Sequence, residues 1–503
     1  MLKSYIVLIT IIATLGGLLF GYDTAVISGA VGSLKVYFID PRHLDNPDEA
    51  SSLLGFVVSS ALIGCIIGGC LGGVVSSTLG RKKGLLVSAV LFLVSALGSA
   101  MPEIFFAPVG SGGPGYIWHF VFYRIVGGVG VGLASMLSPM YIAEIAPAKM
   151  RGNLVAWNQL AIIFGMLVVY FVNFGIERSG SGDEWLNQVG WRYMFASGAI
   201  PSGLFLALLF LVPETPRFLM LKGRETEART VLSRTLSEEE ANLEIREIRE
   251  SLAHHTSASV FSYGVAILIF GIMLSVFQQF VGINVVLYYA PEIFKSMGMG
   301  TDASLLETII VGAVNLAFTV VAVLTVDRYG RKPLQIIGAL VMGGAMFGLG
   351  FSLFVQSKGM FALICMLVYI AGFAVSWGPV TWVLLSEMFP NKIRDTALAI
   401  AVAAQWIANY LVSWSFPIMK DNKTLVDNFH YGFPYFVYGA MGVLAALFTW
   451  KFIPETKGRT LEELEELWES PGPSPAGAMP SSAAGSQKTV PAGRPSRSNP
   501  SLP

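Results

Sequence analysis

A chain of 503 residues in which 54% are hydrophobic and only 13% are charged is too apolar for an ordinary soluble protein, which carries about twice that charged fraction. Its formal net charge is zero, which gives no electrostatic basis for binding nucleic acid. The mean hydropathy is +0.63, and apolar runs of about 18 or more residues recur along the chain. The composition therefore predicts a helical membrane protein with many spans.

About twelve apolar segments are long enough to cross a bilayer as helices. Lys and Arg are concentrated in the loops on one side, whereas the loops on the other side are mixed or acidic. The positive-inside rule then places both termini and residues 215–258 in the cytoplasm. The predicted spans cover residues 5–30, 53–79, 84–101, 117–140, 155–176, 193–212, 261–291, 305–326, 334–355, 361–385, 396–419 and 433–453.

Residues 215–258, between the sixth and seventh spans, are highly charged. Apolar residues recur there near helical spacing, which predicts one to three amphipathic helices on the cytoplasmic face. About 45 residues are too few to bury a catalytic core. His254 and His255 have no third ligand nearby, and the three Cys show no metal-binding or disulfide spacing. We therefore expect no metal ion and no other cofactor.

Three motifs occur twice at nearly the same offset: residues 144–151 with 387–394, 80–82 with 330–332, and 213–215 with 454–456. This duplication predicts an all-α membrane protein with two six-helix halves, residues 1–214 and 259–456, joined by the linker 215–258. Duplicated halves are typical of transporters, whose substrate site lies between them. Beyond the second half, the sequence predicts a cytoplasmic helix at 457–469 and a disordered tail at 470–503.

The seventh span contains the polar stretch FQQFVGINVVLYYAP, residues 277–291. Gly282 and Pro291 predict an interrupted helix. Amides such as those of Gln278 and Gln279 are unfavourable in lipid unless they find partners. They can hydrogen-bond between helices or bind a polar ligand. The concentration of amides and tyrosines in one span favours the ligand site.

Asp23 in the first span and Arg124 in the fourth are charges inside predicted membrane helices. A charge at that depth is unfavourable, and it is by default functional. Pairing the two residues reduces both penalties. Protonation of Asp23 would break the pair and couple a proton to a conformational change. The alternative is a static ion pair that holds two helices together.

The duplicated motifs place charged residues at the cytoplasmic ends of helices. Single surface ion pairs are weak, but a network of them can latch an outward-facing state by holding the inner gate shut. The pairs expected to link the halves are Glu144 with Arg394 and Glu387 with Arg151. The candidate gate residues are Arg81, Glu144, Arg151, Glu214, Arg331, Glu387, Arg394 and Glu455.

Neutral amides and aromatic rings also lie in other spans. Amides donate and accept hydrogen bonds, and indole rings stack on apolar C–H faces, so the set suits a ring of hydroxyls. No basic residue lies near them in sequence, which argues against phosphorylated or carboxylate ligands. These residues are Gln159, Asn315, Trp382, Gln405 and Trp406.

With these motifs, the chain resembles the sugar porters of the major facilitator superfamily as far as residue 469. The resemblance implies a proton-coupled monosaccharide symporter, with D-xylose as the expected sugar and Asp23 as the proton site beside Arg124. It rests on residues 16–23 (GGLLFGYD), 123–124 (YR), 213–217 (PETPR), 278–279 (QQ), 282–284 (GIN), 327–331 (DRYGR), 377–379 (WGP) and 454–459 (PETKGR).

The resemblance also implies residues that contact the sugar. The expected sugar-binding residues are Gln159, Gln278, Gln279, Asn284, Trp382 and Gln405. The expected pocket-lining residues are Phe20, Met166, Tyr288, Asn315, Gly378 and Trp406.

Three departures from the family pattern involve four positions. Ser77 and Thr78 replace an acid and a base of the first-half gate motif, and Asp395 replaces a glycine. Met166 stands seven residues after Gln159, where xylose carriers of the family have Gln and hexose carriers tend to have an apolar residue. The sequence therefore leaves the choice between pentose and hexose open.

Other functions remain to be weighed against symport. A proton-independent sugar facilitator has the same fold but no use for a titratable Asp23. A membrane sugar sensor would need a long structured tail, and an enzyme would need a nucleophile, a metal cluster or a nucleotide motif. Gly128, Gly130 and Gly132 resemble a nucleotide loop, but inside a membrane helix they predict close helix packing.

We expect a monomer in the bacterial inner membrane whose partners are a sugar, protons and lipid.

Overall fold

The computed structural model describes residues 2–147, 150–253, 259–356, 360–390 and 393–457. All regular secondary structure in these ranges is helical. The C-terminal helix and the tail predicted after residue 457 lie outside the described residues.

The helices fall into three groups along the chain. The first group is α1 (Leu2–Ala25), α2 (Ile27–Leu34), α3 (Pro47–Thr78), α4 (Arg81–Ala100), α5 (Ile117–Ile145), α6 (Arg151–Ser179), α7 (Asp183–Trp185), α8 (Trp191–Ser197) and α9 (Ala199–Leu209). The second is α10 (Pro216–Leu221), α11 (Glu225–Leu232) and α12 (Glu238–Ala253). The third is α13 (Val265–Phe280), α14 (Ile283–Ser296), α15 (Thr301–Tyr329), α16 (Arg331–Phe354), α17 (Met360–Val375), α18 (Trp377–Met388), α19 (Arg394–Asp421), α20 (Lys423–Phe429) and α21 (Phe433–Phe452).

Twelve helical segments in the described residues are long and apolar enough to cross a membrane, six before the linker and six after it. They coincide with the predicted spans. The largest differences are the first segment, which extends to Arg42, and the sixth, which already begins at Asp183. Both extensions are helical turns beyond the apolar run, which hydropathy alone does not detect.

Each group of six spans packs chiefly within itself. In the first half, α5 lies against both α3 and α4, and in the second half α16 lies against α17 and α21. The halves meet where α3 contacts α19, where α6 contacts α15 and where α2 contacts α14. The interface between the halves is therefore built by helices that also carry the candidate site residues.

Glycines allow α3 and α5 to approach closely. A Cβ atom added at Gly64 would overlap the backbone of Ile125 and Val129, and one added at Gly128 would overlap the backbone of Ala61. Small residues at helix contacts are the usual device for close packing in membranes. The structure thus confirms that the glycines of the fourth span serve helix packing.

Two spans are interrupted, one of them at the glycine that the sequence indicates. The break between α13 and α14 lies at Gly282, whose φ of 91° is left-handed and suits glycine. Pro291 lies inside α14 and does not end it. The break between α17 and α18 lies at Ser376, shortly before Gly378 and Pro379. Pro379 is tolerated there because the first turn of a helix needs no proline N–H.

The linker forms the three short helices α10, α11 and α12. Leu232, Ala241 and Ile245 form a small buried cluster among them. Arg151, at the start of α6, reaches Glu244 of α12 at 3.7 Å. The linker is therefore held to the first half both by this ion pair and by its covalent connection to α9.

The α3–α5 contact predicts that Gly64→Val lowers the melting temperature in detergent, because an overpacked backbone contact destabilises by about 1–3 kcal/mol. Gly73→Val on the same helix is the matched control, since a Cβ there meets no atom within 4 Å. Equal melting temperatures for the two variants would contradict the assignment of Gly64 to helix packing.

Candidate functional site

Asp23 of α1 and Arg124 of α5 form an ion pair inside the first half. The Arg124 Nη1 atom lies 3.2 Å from Asp23 Oδ1, and Nη2 donates to the Asp23 backbone carbonyl at 3.2 Å. The guanidinium Cζ also lies 5.3 Å from the ring centre of Phe195. The side chain of Arg124 is only 1% exposed. The predicted pairing is confirmed, and the arginine is held on three sides.

The second carboxylate oxygen of Asp23 faces a different environment. Oδ2 is buried and has no hydrogen-bond partner among the described residues. A cavity of about 10 Å³, which is room for one water, adjoins Asp23 and is also lined by Phe92, Phe195 and Ser202. One oxygen therefore holds the arginine, while the carboxyl group also borders a space that can admit water.

The amides of the interrupted seventh span form a connected cluster. Asn284 Nδ2 donates to Gln279 Oε1 at 2.5 Å, and Gln279 Nε2 donates to Gln278 Oε1 at 3.5 Å. Gln278 Nε2 donates to the carbonyl of Trp377 at 2.8 Å and to that of Gly378 at 3.4 Å. The breaks in the two interrupted spans thus face each other, and the cluster joins them.

One aromatic contact brings predicted residues together across the interface of the halves. The rings of Phe20 on α1 and Trp406 on α19 lie 5.7 Å apart at a tilt of 46°. Tyr288 on α14 is buried, and its hydroxyl faces the amide of Asn409 on α19. Next to Trp406, the Oε1 atom of Gln405 is buried without a hydrogen-bond partner among the described residues. That oxygen is available to accept a hydrogen bond from a ligand.

The remaining predicted residues lie on helices around this region. Gln159 and Met166 are on α6, Asn315 is on α15 and Trp382 is on α18. Met166 is buried where α6 crosses α1, and a Cβ atom at Gly21 would lie 3.1 Å from its backbone nitrogen. In the described part of the chain, no hydrogen bond joins these four side chains to the amide cluster. Their contact with a ligand stays a prediction.

The first copy of the duplicated charge motif closes within the first half. Arg81 Nη2 lies 2.6 Å from Glu144 Oε1. Glu214 accepts hydrogen bonds from the backbone N–H groups of Arg81 and Lys82. This places a carboxylate at the N-terminus of α4, where it is favoured by the helix dipole.

The second copy repeats this arrangement in the second half. Arg331 Nη2 lies 2.9 Å from Glu387 Oε1, and Glu455 accepts from the backbone N–H groups of Arg331 and Lys332. Glu387 and Arg151 are not paired with each other in this structure, where Arg151 reaches Glu244. Their pairing in an outward-facing state stays a prediction. Of the other expected pair, Glu144 bonds Arg81 in its own half, and Arg394 Nε donates to the carbonyl of Phe389, the residue after α18.

The halves touch each other at the opposite end of the bundle. Asn422 Nδ2 lies 3.1 Å from Asp48 Oδ1, and Arg178 Nε lies 3.8 Å from Asp302 Oδ1. The hydroxyl of Tyr170 on α6 donates to the carbonyl of Leu287 on α14. These bonds join the halves at the end that the loop charges predict to be outside.

Comparison with known proteins identifies the family. The family model described as "Sugar (and other) transporter" matches residues 9–468. The chain belongs to this sugar transporter family. The D-xylose-proton symporter of Escherichia coli (strain K12) is 60% identical over 475 residues, which are 93% of this chain and 96% of that protein.

Two further comparisons support the family and its fold. The glucose facilitated diffusion protein of Zymomonas mobilis is 43% identical, and the match covers 92% of this chain and 97% of that protein. The inward open structure of the xylose transporter XylE from E. coli has a TM-score of 0.84 and 58% identity, covering 92% of this chain and 100% of that chain. The predicted major facilitator fold is confirmed.

Sequence reasoning missed a buried network that supports the site of this sugar transporter. Trp377 Nε1 donates to the carbonyl of Gln335, whose side chain donates to Thr381 Oγ1, both at 2.9 Å. The Thr381 hydroxyl in turn donates to the Trp377 carbonyl at 2.8 Å. Gln335 in an apolar span was a visible signal, but its partners are distant in sequence.

Proposed function

We propose that this sugar transporter is a proton-coupled symporter that carries D-xylose across the bacterial inner membrane by alternating access. The buried pair of Asp23 and Arg124 is the observation that carries the proposal. A titratable carboxyl at membrane depth, next to a space for water, is the group that a proton-coupled carrier needs. The activity named for the 60% identical relative points in the same direction.

Proton coupling follows from the geometry of the pair. Deprotonated Asp23 attracts Arg124 and ties α1 to α5. Protonation removes that attraction, and the arginine keeps only the Asp23 carbonyl and the face of Phe195. Breaking one side of a buried ion pair changes stability by about 3–5 kcal/mol. A change of that size is enough to invert a balance between two conformations.

Sugar recognition follows from the amide cluster. Gln278, Gln279 and Asn284 are oriented by one another and by the broken spans, so their free donors and acceptors are fixed before a ligand arrives. A pre-oriented polar site loses little entropy on binding. Phe20 and Trp406 present apolar faces suited to the C–H side of a sugar ring.

The wider organisation belongs to the same proposal. Residues 1–214 and 259–456 form the two moving halves, and residues 215–258 form cytoplasmic helices between them. Both termini are cytoplasmic, and the transporter acts as a monomer in lipid. It is a carrier and not an enzyme, with a sugar and a proton as its partners and no nucleic acid or cofactor.

Six of the eight predicted gate residues act in two clusters, Arg81 with Glu144 and Glu214, and Arg331 with Glu387 and Glu455. Each cluster stiffens the inner end of one half, and the halves close on each other at that end when the carrier faces outward.

A proton-independent facilitator is the second candidate, because one relative is named a facilitated diffusion protein. Proton movement separates the two candidates.

Asp23→Asn should abolish proton movement while leaving sugar exchange, because an amide cannot release a proton. In proteoliposomes we expect D-xylose to raise the external pH with the wild type and not with the variant. Asp302→Asn, which removes an exposed acid from the far end of the bundle, is the control and should behave as wild type. Sugar entry without proton movement in the wild type would establish a facilitator.

Asn284→Ala should weaken D-xylose binding about tenfold or more, because it removes one amide from the site and releases the Gln279 side chain. Calorimetry in detergent measures the dissociation constant. Asn173→Ala is the matched control, since Asn173 Nδ2 bonds the Val26 carbonyl away from the cluster. A similar loss in both variants would argue against a sugar site at the amide cluster.

Met166→Gln should raise the preference for D-xylose over D-glucose about tenfold, because the amide can bond ring hydroxyls that both sugars carry, while the hexose loses the apolar contact that Met offers to its extra carbon. The ratio of kcat/KM for the two sugars measures this preference. Met166→Leu keeps the site apolar and should leave the ratio unchanged. An unaltered ratio for Met166→Gln would place the residue outside the sugar pocket.

A further inference from the structure

In the second half, Pro291 and Pro417 lie inside membrane helices and leave backbone carbonyls without their helical donors. Proline has no N–H, so the carbonyl four residues earlier stays unbonded within its helix. Pro291 inside α14 frees the carbonyl of Leu287, and Pro417 inside α19 frees the carbonyl of Ser413. An unsatisfied backbone group in the bilayer is unfavourable by several kcal/mol, so both carbonyls need another donor.

A tyrosine hydroxyl supplies the donor in each case. Tyr170 donates to the carbonyl of Leu287 at 3.0 Å, and Tyr289 donates to the carbonyl of Ser413 at 3.0 Å. Both tyrosines are at most 2% exposed, so the bonds are shielded from water. The two bonds are chemically alike and differ in what they connect.

The two bonds differ in whether they cross between the two halves of the transporter. Tyr289 and Ser413 both belong to the second half, so their bond moves with it. Tyr170 belongs to α6 of the first half, whereas Leu287 belongs to α14 of the second. The Tyr170–Leu287 bond therefore crosses the interface that must open in alternating access.

The position of Tyr170 is fixed by a close approach of α15. A Cβ atom added at Gly312 would lie 2.8 Å from Tyr170 Cδ2 and 3.1 Å from Cε2. The glycine leaves the space that the ring occupies. The ring thus lies in a slot of the opposite half, which aims its hydroxyl at the proline-freed carbonyl.

We propose that Tyr170 is a positioning residue that holds the outer end of the transporter closed. This role rests on the proposed alternating access and adds the residue that sets the equilibrium between the open and closed outer end. When the outer end opens, Leu287 loses the donor that replaces the missing N–H of Pro291. At the same end, the Arg178–Asp302 ion pair is exposed and therefore weak, and the Asp48–Asn422 hydrogen bond is only partly buried.

Tyr170→Phe tests this because it keeps the ring in its slot and removes only the hydroxyl. Spin labels at Asp45→Cys and Asp427→Cys, exposed positions near the outer ends of opposite halves, report the opening as a distance distribution. The three native Cys are replaced by Ala in all samples. We expect the outward-open population to rise about tenfold in Tyr170→Phe.

Tyr289→Phe is the matched control, because it frees an equivalent carbonyl within one half and should leave the distribution as in the wild type. Gly312→Ala is a second variant, which displaces the ring and should shift the distribution in the same direction as Tyr170→Phe. No shift in Tyr170→Phe, or equal shifts in the two tyrosine variants, would overturn the proposal.

These distances are measured without sugar or a proton gradient, so they do not depend on symport. A wild-type distribution for Tyr170→Phe, with proton-coupled uptake intact, would remove the role of Tyr170 and leave the symport proposal standing. If the wild type carried sugar without protons but Tyr170→Phe still raised the outward-open population, the symport proposal would fail and the role of Tyr170 would stand.

Discussion

The absence of water in the bilayer core is the constraint on which this structure depends, since every backbone polar group there must find a partner inside the protein. Regular helices meet it by themselves, but the two interrupted spans do not. At one break, Tyr369 donates to the carbonyl of Val281, and at the other, Gln278 donates to the carbonyl of Trp377. Gln278, which satisfies the second break, also belongs to the candidate sugar site, so sugar binding and helix geometry share this side chain.

The duplicated charge clusters explain how each half can move as a unit. Glu214 binds the N-terminal amides of α4, and Glu455 binds those of α16. Each carboxylate thereby joins the last span of its half to an earlier one. A half that is braced in this way can rotate against the other half without internal rearrangement, which is the geometry that alternating access needs.

The proposed proton site and the amide cluster lie in different halves, and an aromatic contact links those halves. Asp23 and Arg124 belong to α1 and α5, while the amide cluster belongs to α13 and α14. Phe20, one turn before Asp23 on α1, contacts Trp406 of the second half. A shift of α1 on protonation of Asp23 would therefore move Phe20, and with it the contact to Trp406 in the wall of the proposed sugar pocket.

The sequence by itself determined the fold class, the twelve spans, the duplication and the pairing of Asp23 with Arg124. These features are local or follow from the penalty of burying charge, so hydropathy, periodicity and charge were sufficient. Only the tertiary structure decided the partners of Arg151 and Glu387, the network around Gln335, and the donors to the carbonyls freed by proline. Those contacts join residues far apart in the chain, and any of several equivalent groups would satisfy the same chemical need, so only the packing of the helices selects among them.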